Sequence, residues 1–153
     1  HNMLQAYTHV AHNSNFGDYI VVSSFSGVAG HVTVEDHAVI GAMSGVHQFV
    51  KIGAFAMIGG MSKIVQDVCP FVIADGNPAR VVGLNAVGIA RNKIPAESKS
   101  ALKKAYRLIF RSGLKLNDAI QEMEQELPST PEIEHLLRFL RNCDRGLCRT
   151  RDR

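Results

Sequence analysis

Bulky apolar residues recur at every sixth position through the first 64 residues. They are Leu4, Val10, Phe16, Val22, Val28, Val34, Ile40, Val46, Ile52, Ile58 and Ile64. The residue after each is usually small, as at Ala11, Gly17, Ser23, Ala29, Gly41, Gly53 and Gly59, with Gln5, Glu35, His47 and Val65 among the exceptions. A period of six matches neither the 3.6-residue repeat of a helix nor the simple alternation of a long strand. It is the period of a parallel β-solenoid of hexapeptides, in which three hexads close a triangular coil of about 18 residues. The aliphatic residue is then expected inside, stacked on its equivalent in the next coil. The small residue is expected to relieve crowding at the corner. The competing reading, a β-sandwich with accidental spacing, has to account for eleven consecutive hits.

A solenoid needs capped ends. This one amounts to about three and a half coils, with no cap before it. The chain opens His1-Asn2-Met3, without an initiator methionine in first place or a signal peptide. The expectation is a carboxy-terminal piece of a longer protein that lacks the first coils.

The hexad pattern stops after Ile64. Residues 67–80 carry Pro70, Gly76 and Pro78 and read as an exit loop, and the apolar run from Val81 to Gly88 is expected to pack along the solenoid. From Pro95 the period becomes helical. Ala101, Leu102, Ala105, Leu108 and Ile109 share a face, with Gly113 as a stop. A second helix is expected from Asn117, as N-cap, to Leu127. A third opens on Thr130-Pro131-Glu132, with Ile133, Leu136, Leu137 and Leu140 on one face. The expected organisation is β-helix coils and exit loop over residues 1–80 and a small α-helical domain over 81–153.

Composition narrows the class. With 46% hydrophobic and 20% charged residues the chain is not disordered. No run approaches the ~18 apolar residues of a membrane span. Three cysteines, Cys69, Cys143 and Cys148, make no disulfide framework and point to a reducing, cytoplasmic setting. A net charge of +3 does not argue for nucleic acid. Residues 1–64 hold Lys51 and Lys63 against Asp18, Glu35 and Asp36, so the positive charge lies in the second half. That half presents either a solvated helix face or a surface for an acidic partner.

Six of the seven histidines precede residue 48. Positions about 18 apart stack in successive coils, so His12, His31 and His47 fall within one residue of the same edge, with His9 nearby. His1 and His37 share another face. An imidazole edge suits a general base or, alternatively, metal ligation. Coils ~4.8 Å apart place His12 and His47 too far apart for one ion, unless the ion is shared between subunits. No phosphate loop, dinucleotide fingerprint or nucleophile elbow is present. Cys69 reads as a buried or loop cysteine, and the spacing of Cys143 and Cys148 is too weak a signal for a metal site.

The run Ala6-Tyr7-Thr8-His9-Val10-Ala11-His12-Asn13 resembles the catalytic stretch of the bacterial acyl-ACP:UDP-N-acetylglucosamine O-acyltransferase family. Ala29-Gly30-His31-Val32, Val46-His47-Gln48-Phe49, Gly76-Asn77-Pro78 and Ala105-Tyr106-Arg107-Leu108-Ile109-Phe110-Arg111-Ser112-Gly113 do the same. The resemblance runs from Asn2 to about Leu147. It implies a left-handed parallel β-helix followed by a helical domain, a homotrimer with active sites between subunits, and the first step of lipid A synthesis. In that step a 3-hydroxyacyl chain passes from acyl carrier protein to the 3-hydroxyl of UDP-N-acetylglucosamine. The resemblance casts His12 as general base. It places His9, His31, His47 and Gln48 along the substrate cleft, Asn85 and Arg91 near the nucleotide, and Gly60 where size limits acyl-chain length. It implies no cofactor or metal beyond the phosphopantetheine thioester of the donor. Asn13 stands where the family often has an aspartate to orient the base, and Asn92 follows Arg91 where a second basic residue is common. The alternatives are a related sugar acyltransferase with another acceptor, a zinc hydratase of the γ-carbonic-anhydrase type, and a non-catalytic scaffold.

Overall fold

Every expected inward residue ends a strand of two residues. The structure is a computed structural model that describes residues 1–150. In it the hexads form β1 (Met3–Leu4), β2 (His9–Val10), β3 (Asn15–Phe16), β4 (Val21–Val22), β5 (Gly27–Val28), β6 (Thr33–Val34), β7 (Val39–Ile40), β8 (Gly45–Val46), β9 (Lys51–Ile52), β10 (Met57–Ile58) and β11 (Lys63–Ile64). Strands three apart pair in parallel and in register, as Val21 with Val39 and Gly27 with Gly45, so one coil is 18 residues. Three sheets result: β1-β4-β7-β10 on one face, β2-β5-β8-β11 on the second and β3-β6-β9 on the third. This is the expected parallel β-helix.

Inside, Val22, Val28, Val34, Ile40, Ile52 and Ile58 are fully buried. A second inward column repeats every six residues, two positions earlier in the hexad: Ile20, Ser26, Val32, Ala38, Ser44, Val50, Ala56, Ser62 and Val68 are all buried. Its serines are satisfied by a ladder of their own. The Ser26 and Ser44 hydroxyls donate to the carbonyls of Gly41 and Gly59 at 2.9 and 3.0 Å, and Ser62 donates to the Asp75 carboxylate at 3.2 Å. Polar groups so placed escape the cost of unpaired burial.

The corners are built differently from expectation. The residue that turns each corner is the third after the inward residue. Tyr7, Asn13, Tyr19, Phe25, His31, His37, Met43, Phe49, Phe55 and Met61 all hold φ between 57° and 65°. None is glycine, and a left-handed residue of this kind costs roughly 1 kcal/mol or more. Stacking across coils offsets part of that cost: Tyr19, His37, Phe55 and Phe71 form a column with ring centroids 4.7–5.3 Å apart. The small residue does relieve crowding, against the backbone of the next coil. A Cβ on Gly41 would lie 2.6 Å from the Gly60 nitrogen, and one on Gly53 would lie 2.4 Å from the Pro70 nitrogen.

Where an exit loop was expected, the chain makes a hairpin of β12 (Val72–Gly76) and β13 (Ala79–Leu84). Strand β12 continues the first sheet by pairing parallel to β10, and β13 returns antiparallel. Gly76 and Pro78 bracket the turn rather than a loop. The described chain forms two compact units. One comprises His1–Asn85 and the chain from Cys143, the other Ala86–Asn142. The expected boundary at residues 80 and 81 falls inside β13, and the segment from Cys143 returns to the solenoid unit.

That return is anchored by Asp67. Its backbone N–H donates to the Gly146 carbonyl, its carbonyl accepts from Cys148, and its side chain accepts from the backbone N–H groups of Lys51 and Arg145 at 2.8 and 3.1 Å. Asp67 is fully buried, and burial pushes its carboxyl above the ordinary carboxylate range despite those two donors.

The second unit holds α1 (Ala86–Arg91), α2 (Ala96–Phe110), α3 (Leu116–Glu126) and α4 (Pro131–Arg141). Helix α2 buries the expected Ala101, Leu102, Ala105 and Ile109, and Gly113 follows its end at φ 77°. The cap of α3 is Lys115, not Asn117, which lies in the first turn. Helix α4 starts as expected, with the Thr130 side chain accepting from the Ile133 N–H and Pro131 first in the helix. No described helix is long and apolar enough to cross a membrane.

Candidate functional site

Sheet β2-β5-β8-β11 turns His9, Gly27, Gly45 and Lys63 outward, one per coil, in register. With Ala11, Ala29, His47 and Val65 they line a groove of about 520 Å³. The two glycines have no positive φ, and a Cβ on either would meet nothing within 4 Å, so packing does not require them. They leave the floor of the groove bare, at the entropic cost glycine carries in a strand.

His12 lies at the corner after β2. Its ring meets that of His31 edge-on, with centroids 5.2 Å apart, and His31 stacks on Phe49 at 5.0 Å. The backbone ties the same pair together, since the His31 N–H donates to the His12 carbonyl at 3.1 Å. The His12 Nδ1 lies 3.0 Å from the Asn13 Oδ1. A carboxamide oxygen accepts only, so this contact places the proton on Nδ1 and leaves the Nε2 lone pair available. Among the described residues Nε2 has no hydrogen-bond partner. Gly30 sits against the ring, where a Cβ would come within 2.9 Å of His12 Cε1. Any larger residue there would displace the imidazole.

The structure thus brings His12, Asn13 and His31 together and lines one groove with His9 and His47. His47 Nδ1 lies 3.1 Å from the Gln48 carbonyl and 3.3 Å from an Arg145 guanidinium nitrogen. Gln48 is exposed beside it. Gly60 is exposed at a corner, and a Cβ there would meet the Ala42 carbonyl at 3.3 Å. Asn85 is buried, with its amide donating to the Phe55 carbonyl at 2.8 Å. Arg91 is exposed at the end of α1, in the helical unit.

Lys63 of the groove and Arg145, which touches His47, were not read from the sequence. Lys63 belongs to the outward row with His9, and the 18-residue arithmetic alone would have found it. Arg145 lies 98 residues from His47, and no local pattern connects them. The cysteines offer no thiolate: burial drives Cys69 well up, raises Cys148, and pushes Cys143 up to about 12. Among the described residues no three His, Cys, Asp or Glu side chains converge on a metal-sized site.

A parallel solenoid of six-residue repeats with imidazoles along one edge and an all-helical second unit places the chain among the hexapeptide-repeat β-helix proteins. Residues 67–148, a little over half of the chain, match the family described as Udp N-acetylglucosamine O-acyltransferase, Domain 2. The acyl-[acyl-carrier-protein]–UDP-N-acetylglucosamine O-acyltransferases of Thermodesulfovibrio yellowstonii and Fusobacterium nucleatum are 48% and 51% identical over 97% of this chain. The chain spans 57% and 58% of their length. LpxA of Acinetobacter baumannii superposes with a TM-score of 0.93 at 43% identity, over 97% of this chain and 58% of that one. The Bacteroides fragilis UDP-N-acetylglucosamine acyltransferase gives 0.94 at 36%, with the same coverage. The chain belongs to the UDP-N-acetylglucosamine O-acyltransferase family.

Proposed function

We propose that the protein transfers a 3-hydroxyacyl chain from acyl carrier protein to the glucosamine 3-hydroxyl of UDP-N-acetylglucosamine, the first step of lipid A synthesis, with His12 as general base. The observation that carries this reading is the His12 ring itself. Its Nδ1 is held by Asn13, its Nε2 has no partner among the described residues, and it lies against Gly30, the two being next in the chain to the groove residues Ala11 and Ala29. The names of relatives up to 51% identical over nearly the whole chain support the substrates.

A sugar hydroxyl is a weak nucleophile at neutral pH. His12 Nε2 removes its proton as the oxygen attacks the thioester carbonyl, a contribution worth about 10²–10⁴-fold. Gly30 has the place for the developing oxyanion: its backbone N–H donates no hydrogen bond among the described residues, and it adjoins the base. Collapse of the tetrahedral intermediate forms the ester and expels the phosphopantetheine thiolate, which takes up a proton. Asn13 orients His12 without supplying a negative charge, so the imidazolium that forms gains less than it would beside an aspartate.

His9, His31, His47 and Gln48 line the cleft in this reading, and Gly60 leaves room for a long acyl chain. The exposed Arg91 offers a guanidinium to the nucleotide diphosphate. Asn85, whose amide is committed to Phe55, contributes on the nucleotide side by holding the chain at the start of α1. Arg91, Lys103 and Arg107 give the acidic carrier protein a basic face. The exposed Tyr7, Phe25, Met43 and Met61 of one corner suit burial between subunits, and a cytoplasmic homotrimer is part of the same proposal.

The test is transfer from 3-hydroxyacyl carrier protein to UDP-N-acetylglucosamine by the full-length gene product, with the 3-amino sugar nucleotide as competitor and metal content measured on the same sample. Ester formation that proceeds without stoichiometric zinc is expected. Amide formation with preference for the amino sugar would move the protein to another acceptor. Stoichiometric zinc with no transfer would overturn the reading.

A further inference from the structure

We propose that Arg145 is a positioning residue that fixes the tautomer of His47 and so decides which hydrogen-bonding role that imidazole plays in the groove. Two contacts compete for the same ring nitrogen. The Gln48 carbonyl, 3.1 Å from Nδ1, can only accept, and would require the proton on Nδ1. The Arg145 guanidinium, 3.3 Å from the same atom, can only donate, and requires the Nδ1 lone pair. One neutral ring cannot satisfy both.

The arrangement of Arg145 decides between them. Its backbone N–H donates to the buried Asp67 carboxylate at 3.1 Å, and Asp67 in turn takes Gly146 and Cys148 into backbone hydrogen bonds. The same guanidinium nitrogen reaches the Val65 carbonyl at 3.5 Å, at the rim of the groove. The backbone that carries the guanidinium is therefore held by a buried anchor, and a hydrogen bond from a charged donor outweighs a neutral one to a carbonyl. His47 carries its proton on Nε2 and presents an N–H donor, suited to a carbonyl, phosphate or hydroxyl oxygen of the ligand. Without Arg145 the proton moves to Nδ1, bonds Gln48, and turns Nε2 into an acceptor. The assignment of the tautomer stands on this geometry alone. Its effect on turnover rests on the acyl-transfer reading.

Long-range proton–nitrogen correlation spectra of the protein labelled with 15N-histidine, recorded without substrate at mildly alkaline pH, read the tautomer directly. The His47 signals are identified by their loss in His47→Ala. The wild type is expected to show His47 protonated at Nε2, and Arg145→Met, which keeps the backbone anchor and the aliphatic stem, protonated at Nδ1. In the transfer assay Arg145→Met is expected to lower kcat/KM about tenfold with an unchanged denaturation midpoint. A wild-type ring protonated at Nδ1, or an Arg145→Met ring still protonated at Nε2, would overturn the proposal. Because the spectra need no activity, absence of acyl transfer would count against the function and leave the tautomer result standing.

Discussion

Val28 and His31 lie three residues apart on one coil. Val28 is fully buried and pairs in register with Val10 and Val46, whereas His31 is exposed at a left-handed corner, 5.2 Å from His12. The inner column and the histidine edge repeat with the same period, yet they answer to different demands. Inside, each aliphatic side chain stacks on its counterpart one coil away, and the parallel backbone ladder carries the order. Outside, the backbone of the outward and corner positions joins the same ladder, but their side chains fill no core, so His9, Gly27, Gly45 and Lys63 can follow one another in a single row. A solenoid can thus change its chemistry without changing its architecture.

The comparison breaks first at the inner column. Ile40 is fully buried between Val22 and Ile58. Ile40→Ala is expected to cost about 2–5 kcal/mol through lost burial and the cavity left behind. That cost should appear as a lower midpoint in denaturant, while turnover per folded molecule stays within a few-fold of wild type. A large loss of turnover without loss of stability would blur the division.

A smaller effect sharpens it at Asp67. Burial raises the carboxyl above its ordinary value of 3.8, so the folded state holds the proton more tightly than the unfolded state does. The stability linked to that proton is fully present below 3.8 and is lost as pH rises through the folded value. The stability of wild type relative to Asp67→Asn should therefore fall as pH climbs above that point, and chemical denaturation at a series of pH values measures it. A difference that rises over the same range would mean that the donors from Lys51 and Arg145 outweigh burial.

Much of the solenoid was legible because one position in six is uniformly aliphatic, and all of β1 to β11 end on that position. The second inward column was not. It mixes Ile, Val, Ala and Ser, and its serines are buried only because carbonyls of neighbouring coils satisfy them. The left-handed corners were hidden for a related reason. Glycine is the usual sign of such a backbone, but here aromatic, histidine, methionine and asparagine side chains hold it, with stacking between coils at several of them. The β12–β13 hairpin was masked by its own turn residues, since Gly76, Asn77 and Pro78 read equally well as a loop.

At the site, the 18-residue arithmetic placed His12 beside His31 and brought His9 and His47 to one groove. It gave no hint of Arg145, which reaches His47 only after the chain has passed through a helical unit with a period of its own. Distance along the chain, not weak chemistry, concealed that contact.

The most direct measurement compares wild type with His12→Ala for acyl transfer to UDP-N-acetylglucosamine, alongside denaturation of both. His12 is exposed and belongs to the edge, so turnover is expected to fall by about 10²–10⁴-fold with an unchanged midpoint. Turnover within a few-fold of wild type would contradict this expectation, as would a midpoint that falls as far as that of Ile40→Ala.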